Sequence, residues 1–160
     1  MNYARRLLWA GMLAASVAGL TACTDGAPGS MSATGAGVTT IDVSLTAFAA
    51  TAIAQGASGG YAPAQLTVPV GTQIRFVNRD SFAHTASAVG GTTFPASSPL
   101  TAAALAPSAS GASISSAGWT SGNLAAGASS PIFIAAAPGT YLFGCFYHYG
   151  APMRGAIVVR

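Results

Sequence analysis

Along much of the chain, apolar residues recur at every second position. Ile41, Val43 and Leu45 alternate with polar neighbours in "IDVSL", Leu66, Val68 and Val70 do so in "LTVPV", and Ile74 and Phe76 follow the turn at Gly71. Side chains two apart share one face of a strand, so each run predicts a strand with one buried face. Further along, "PIFIA" offers Ile132 and Ile134 to such a face. Tyr141, Phe143 and Cys145 alternate after the "PG" turn, and Ile157 and Val159 belong to "AIVVR". Many short strands punctuated by Gly and Pro predict an all-β sandwich or barrel.

Two stretches break the alternation. Residues 47–64, "AFAATAIAQGASGGYAPA", are Ala-rich and predict a short helix or a long loop. Residues 90–118 are low in complexity and too long for an ordinary connection, so they form a loop insertion or hold a short helix at "LTAAALA". No period of 20 to 50 residues repeats, so a solenoid or propeller is not indicated.

The start of the chain follows a third pattern. Arg5 and Arg6 precede an apolar stretch from Leu7 to Leu20, and small residues lead to Cys23. That order of charge, apolar run and small residues is a secretory signal. The "LTAC" sequence resembles the bacterial lipobox, whose cysteine becomes the lipid-modified first residue of the mature protein. A retained membrane helix would need about 20 apolar residues, more than this run supplies. The resulting plan is a lipoprotein signal peptide at 1–22, a lipidated Cys23 with a linker to residue 37, and one domain at 38–160. Fully stretched, the linker reaches roughly 50 Å.

With 160 residues, one domain with a real core is expected. Only 6% of residues are charged, and the formal charge of +3 includes Arg5 and Arg6. Without the signal, four arginines face Asp25, Asp42 and Asp80. No basic cluster interleaved with aromatics is present, so no nucleic-acid partner is expected.

The chemistry is concentrated near the end, in "CFYHYGAPM". With Cys23 assigned to lipid, Cys145 is a lone thiol in an exported protein, exposed to oxidation unless something occupies it. His148 follows after two residues and Met153 after four more, while the other histidine, His84, follows the strand "IRFVN". A thiolate, two imidazoles and a distant thioether form the donor set that binds copper for electron transfer. Thiolate and thioether suit Cu(I), and neutral imidazole suits Cu(II).

Blander explanations exist for each residue taken alone. Cys145 and Met153 could be core filler, with His148 an unrelated loop residue. Zinc would want a better fourth ligand than Met153. A Cys23–Cys145 disulfide requires that Cys23 carry no lipid. With both histidines committed to metal, no set remains for a hydrolase.

Together with "GTQIRFVNRDSFAHTAS", "SGNLAAG" and "APGTYLFGC", the C-x2-H-x4-M spacing resembles cupredoxins of the plastocyanin and pseudoazurin type, from about residue 61 to 160. The resemblance implies an eight-stranded Greek-key β-sandwich holding one mononuclear type 1 copper on His84, Cys145, His148 and Met153. It further implies a hydrogen bond from the Thr85 amide to the Cys145 sulfur and a bracing role for Asn78. Gly144 stands where plastocyanins carry a tyrosine, and acidic docking patches are missing. A redox partner is therefore expected to meet an apolar surface around His148, formed by Phe82, Tyr149, Ala151 and Pro152.

The expected function is single-electron relay between redox protein donors and acceptors by a monomeric, non-enzymatic carrier. Lipid would anchor it on the periplasmic or extracellular side of a membrane. In a Gram-negative source, Thr24 after the lipidated cysteine implies the outer membrane. The alternative is a copper-binding module for sequestration or delivery without redox turnover, which usually brings spare Met or His residues. A metal-free envelope or adhesion domain would leave the four ligands unexplained.

Overall fold

The computed structural model describes residues 37–160, and the expected signal peptide, Cys23 and nearly all of the linker lie outside them. Eleven strands run in chain order: β1 (Thr39–Val43), β2 (Thr51–Ile53), β3 (Gly56–Ser58), β4 (Tyr61–Ala62), β5 (Gln65–Val68), β6 (Gln73–Asn78), β7 (Ser87–Val89), β8 (Ala112–Ser113), β9 (Phe133–Ile134), β10 (Gly139–Gly144) and β11 (Arg154–Val159). Nine of them form two sheets, ordered β4-β1-β6-β9-β8 and β5-β11-β10-β7, and β2 and β3 make a separate hairpin. This is the expected all-β sandwich, with no α-helix among the described residues.

Alternation sets which side chains enter. In β6, Ile74, Phe76 and Asn78 are buried while Gln73, Arg75 and Val77 are more exposed. β1 lies parallel to it with Ile41 opposite Phe76, so both strands present their apolar faces to the same core. Between the sheets, Phe76 stacks on Trp119 with ring centroids 5.6 Å apart and meets Phe143 edge-on at 5.2 Å. Tyr61 packs on Phe143 at 4.8 Å. Each fully buried aromatic or aliphatic side chain contributes about 1.5–3 kcal/mol.

Three expectations change and a fourth holds. Residues 47–64 hold the β2–β3 hairpin and β4, not a helix; Gly56, with φ 123°, makes the reversal that another residue would resist. Residues 90–118 are as expected mainly loop, with a 3₁₀ turn at Ala102–Leu105 inside "LTAAALA" and the short β8. In "PIFIA" the buried side chains are Phe133 and Ala135, with Ile132 and Ile134 only partly covered, because Phe133 completes the aromatic core beside Phe76 and Trp119. Val70 is 48% exposed, since β5 ends at Val68 and the chain turns at Pro69 and Gly71.

β10 and β11 depart from one-sided burial as well. Leu142 and Ala156 point away from the main core, yet are buried in a second cluster with Val89 and Tyr149, capped by Ile53, Phe94 and Leu100. The hairpin and the 90–100 loop thus form an outer layer over the second sheet. That layer steadies the segment leading into the site.

Candidate metal centre

β10 ends at Gly144 and β11 begins at Arg154, so residues 145–153 must reverse the chain in one tight loop. Main-chain bonds close it. The Cys145 amide donates to the Met153 carbonyl at 3.0 Å, and the Ala151 and Met153 amides both donate to the His148 carbonyl, at 2.9 and 3.3 Å. Cys145, His148 and Met153 are thereby fixed to one another before any side chain is considered.

His84 comes from the loop between β6 and β7, held against Leu124 by reciprocal main-chain bonds of 3.1 and 2.8 Å. Its Nδ1 lies 3.8 Å from Cys145 Sγ and 3.2 Å from His148 Nδ1, and the third side, Sγ to His148 Nδ1, is 3.7 Å. A point equidistant from all three atoms falls about 2 Å from each, the length of a transition-metal bond to imidazole nitrogen. The triangle therefore fits one metal ion. Met153 is completely buried, its side chain lying over Gly60; a Cβ there would sit 2.5 Å from Met153 Cγ, so only glycine leaves room.

Polar contacts hold the donors in place. The Thr85 amide points at Cys145 Sγ at 3.4 Å, its hydroxyl accepts from the Phe146 amide at 2.9 Å, and its carbonyl accepts from Tyr61 Oη at 2.5 Å. Asn78, fully buried, donates to the carbonyls of Phe82, Leu124 and Ala125 at 2.7–3.1 Å and accepts from the Asp80 amide at 2.9 Å. It ties the His84 loop to the 124–125 segment. Burial and the neighbouring His84 ring push His148 below the ordinary histidine range, with Asp80 opposing. That direction favours the neutral ring, the form in which an imidazole binds metal.

The sequence reading missed Asp80. Its Oδ2 lies 2.8 Å from His84 Nε2, and Ser44, Thr46 and the Leu45 amide also donate to the carboxylate. Burial alone would raise its pKa, but those hydrogen bonds outweigh it and hold the carboxyl well below the ordinary carboxylate range. The D-x3-H spacing in "RDSFAH", in a chain with only three acidic residues, was the available signal.

The expected docking residues divide. Phe82 and Ala151 are exposed and Pro152 partly so, and the Phe82 ring stands 4.8 Å from His84 and 5.6 Å from His148. Tyr149 does not belong with them. It is 2% exposed, folded back over Gly144, where a Cβ would lie 2.7 Å from its ring, and its hydroxyl donates to the Pro95 carbonyl. The missing side chain at 144 is what lets Tyr149 turn inward. Tyr147, 45% exposed and 6.1 Å from the His148 ring, takes the surface position.

A model of the copper-binding proteins of the plastocyanin/azurin family matches residues 49–160. No curated protein sequence matches the chain. Among solved structures it is similar to a purple cupredoxin from Nitrosopumilus maritimus, with 18% identity, a TM-score of 0.47, and coverage of 76% of this chain and 99% of that one. It is also similar to a mutant amicyanin in its reduced state, with 19% identity, a TM-score of 0.46, and coverage of 78% and 83%. With a family match over most of its length and a donor triangle sized for one ion, the chain belongs to the plastocyanin/azurin family of copper-binding proteins, and its cofactor is a single copper.

Proposed function

We propose that this protein is a type 1 copper electron carrier, in which His84, Cys145, His148 and Met153 would hold the metal. The observation that carries the reading is the Nδ1–Nδ1–Sγ triangle, buried at His84 and Cys145, with the Thr85 amide aimed at the sulfur. Bound copper supplies a one-electron couple between its +2 and +1 states. The protein supplies the rest. Cys145 gives a thiolate whose charge the Thr85 N–H stabilises, and Asn78 and the closed 145–153 loop hold the donors still in either state. The aromatic core excludes water, and His148, only partly buried, offers the edge through which an electron arrives or departs.

Partners are redox proteins that meet the apolar surface of Phe82, Tyr147, Ala151 and Pro152 around that edge. The carrier works outside the cytoplasmic membrane, held by lipid at Cys23, as the N-terminal sequence pattern supports. Adding Cu(II) to the purified chain should give an intense blue thiolate-to-copper absorption that reductant bleaches and oxidant restores. Colour that survives Cys145→Ser would sink the assignment. Loss of copper to an acceptor protein, faster than electron exchange with it, would indicate delivery instead.

A further inference from the structure

An ionised carboxylate inside a protein is costly unless donors surround it. Among the described residues there are two acidic side chains, Asp42 at the surface against Arg79 and Asp80, only 6% exposed, beneath the copper-binding site. A chain so poor in acid has buried one of its carboxylates where the desolvation cost is highest. The donors are shared evenly. Ser44 Oγ and Thr46 Oγ1 bond to Oδ1 at 2.6 and 2.5 Å, while the Leu45 amide and His84 Nε2 bond to Oδ2 at 2.7 and 2.8 Å.

That pattern sets the state of His84. An ionised carboxylate only accepts, so the hydrogen between the two groups resides on Nε2, and Nδ1, facing Cys145 and His148, is the ring nitrogen that would bind copper. Both groups are almost sealed from water, the imidazole completely and the carboxylate to 97%. Their interaction is therefore weakly screened. The Ser44–Thr46 turn after β1 belongs to a different part of the chain from the ligand loops, so it anchors the carboxylate independently of the copper.

Resting on the copper reading above, we propose that Asp80 is a positioning residue that orients His84 through Nε2–H and, by its negative charge, selectively stabilises the Cu(II) state. A carboxylate behind a ligating imidazole raises that ligand's basicity. The more positive metal state gains more from it, so the charge lowers the reduction potential. Ser44 and Thr46 oppose this effect, because each hydroxyl draws carboxylate charge away from His84.

The test uses the full chain and two substitutions expected to act in opposite directions. Asp80→Asn keeps an oxygen for His84 Nε2–H and for the Leu45 amide but removes the charge, and the Ser44 and Thr46 hydroxyls can rotate to accept from the new amide. Thr46→Val, at an exposed position, keeps the charge and removes one competing donor. Cu(II) and Cu(I) affinities are read by competition titration, the potential by voltammetry, and packing by urea unfolding of the metal-free protein.

For Asp80→Asn we expect about tenfold weaker Cu(II) binding, at the low end for loss of such a support, with Cu(I) affinity little changed. That difference raises the potential by about 59 mV per tenfold. Thr46→Val should lower the potential by a smaller amount. Equal losses of both affinities at an unchanged potential, or a rise in both variants, would overturn the proposal, since a purely structural role predicts one of these. If Asp80→Asn does not fold, the sign for Thr46→Val alone decides: a fall upholds the proposal, and no change or a rise defeats it. A colourless wild type would instead defeat the copper reading.

Discussion

Gly144 and Asn78 show how single side chains, or their absence, shape the site without touching a metal. A methyl group at 144 would stand 2.7 Å from the Tyr149 ring, closer than carbon atoms approach, and the ring is held behind by Pro95 and Arg154. Gly144→Ala should therefore destabilise the protein by about 1–3 kcal/mol, the usual range for overpacking. Urea unfolding would measure the loss, and the thiolate absorption of neighbouring Cys145 would shift with it. Asn78→Ala removes the side-chain donor to the Phe82 and Ala125 carbonyls and the acceptor for the Asp80 amide, and leaves the Leu124 carbonyl with only its bond from the His84 amide. A cost of about 3 kcal/mol is expected in the same measurement, because unmade buried hydrogen bonds carry their desolvation penalty. The sequence made Asn78 visible only through family resemblance. Its hydrogen-bond partners lie up to 47 positions away, and no local pattern reports them.

At the scale of elements, the outer layer over β10 and β11 is the part that sequence patterning did not reveal. Arg154 lies 4.7 Å from the Tyr149 ring and 5.6 Å from that of Phe94, with a terminal nitrogen 3.4 Å from the Pro95 carbonyl. It therefore pins the 90–100 loop to the segment that follows the ligand loop. Arg154→Met keeps the apolar stem and removes the cation. Losing about 1 kcal/mol of cation–π attraction should speed amide exchange at Phe94, whose N–H bonds to the Gln55 carbonyl, roughly fivefold. An unchanged exchange rate there would show that the apolar contacts hold the loop by themselves. The layer also bears on how legible the strands were. Period two was legible in β1 and β6, which have one dry face, and became ambiguous in β10, where Leu142 and Phe143 are both buried. In β9, two residues long, alternation could not tell Phe133 from its isoleucine neighbours. Only the aromatic core between the sheets selects it.

The whole molecule carries little charge, and what it has is mostly occupied: Arg79 pairs with Asp42 at 2.8 Å, Asp80 is buried, and Arg154 lies against two rings. Two copies should approach each other with little electrostatic work. Electron self-exchange, followed by line broadening in mixed oxidation states, should change less than about threefold between low salt and 0.15 M, where the Debye length is about 8 Å. A steep dependence would reveal a charged docking surface. Strand periodicity and ligand spacing are local properties of the chain, so the strand-rich class and the donors His84, Cys145 and His148, with Met153 as a candidate fourth, were legible from the sequence. Tertiary structure decided what packs around them. It placed the Ser44–Thr46 turn against Asp80 and Asp80 against His84, turned Tyr149 inward over Gly144, and left Tyr147 outside. Those choices depend on residues far apart in the chain competing for the same volume and the same hydrogen bonds, and only the folded packing of the two sheets settles that competition.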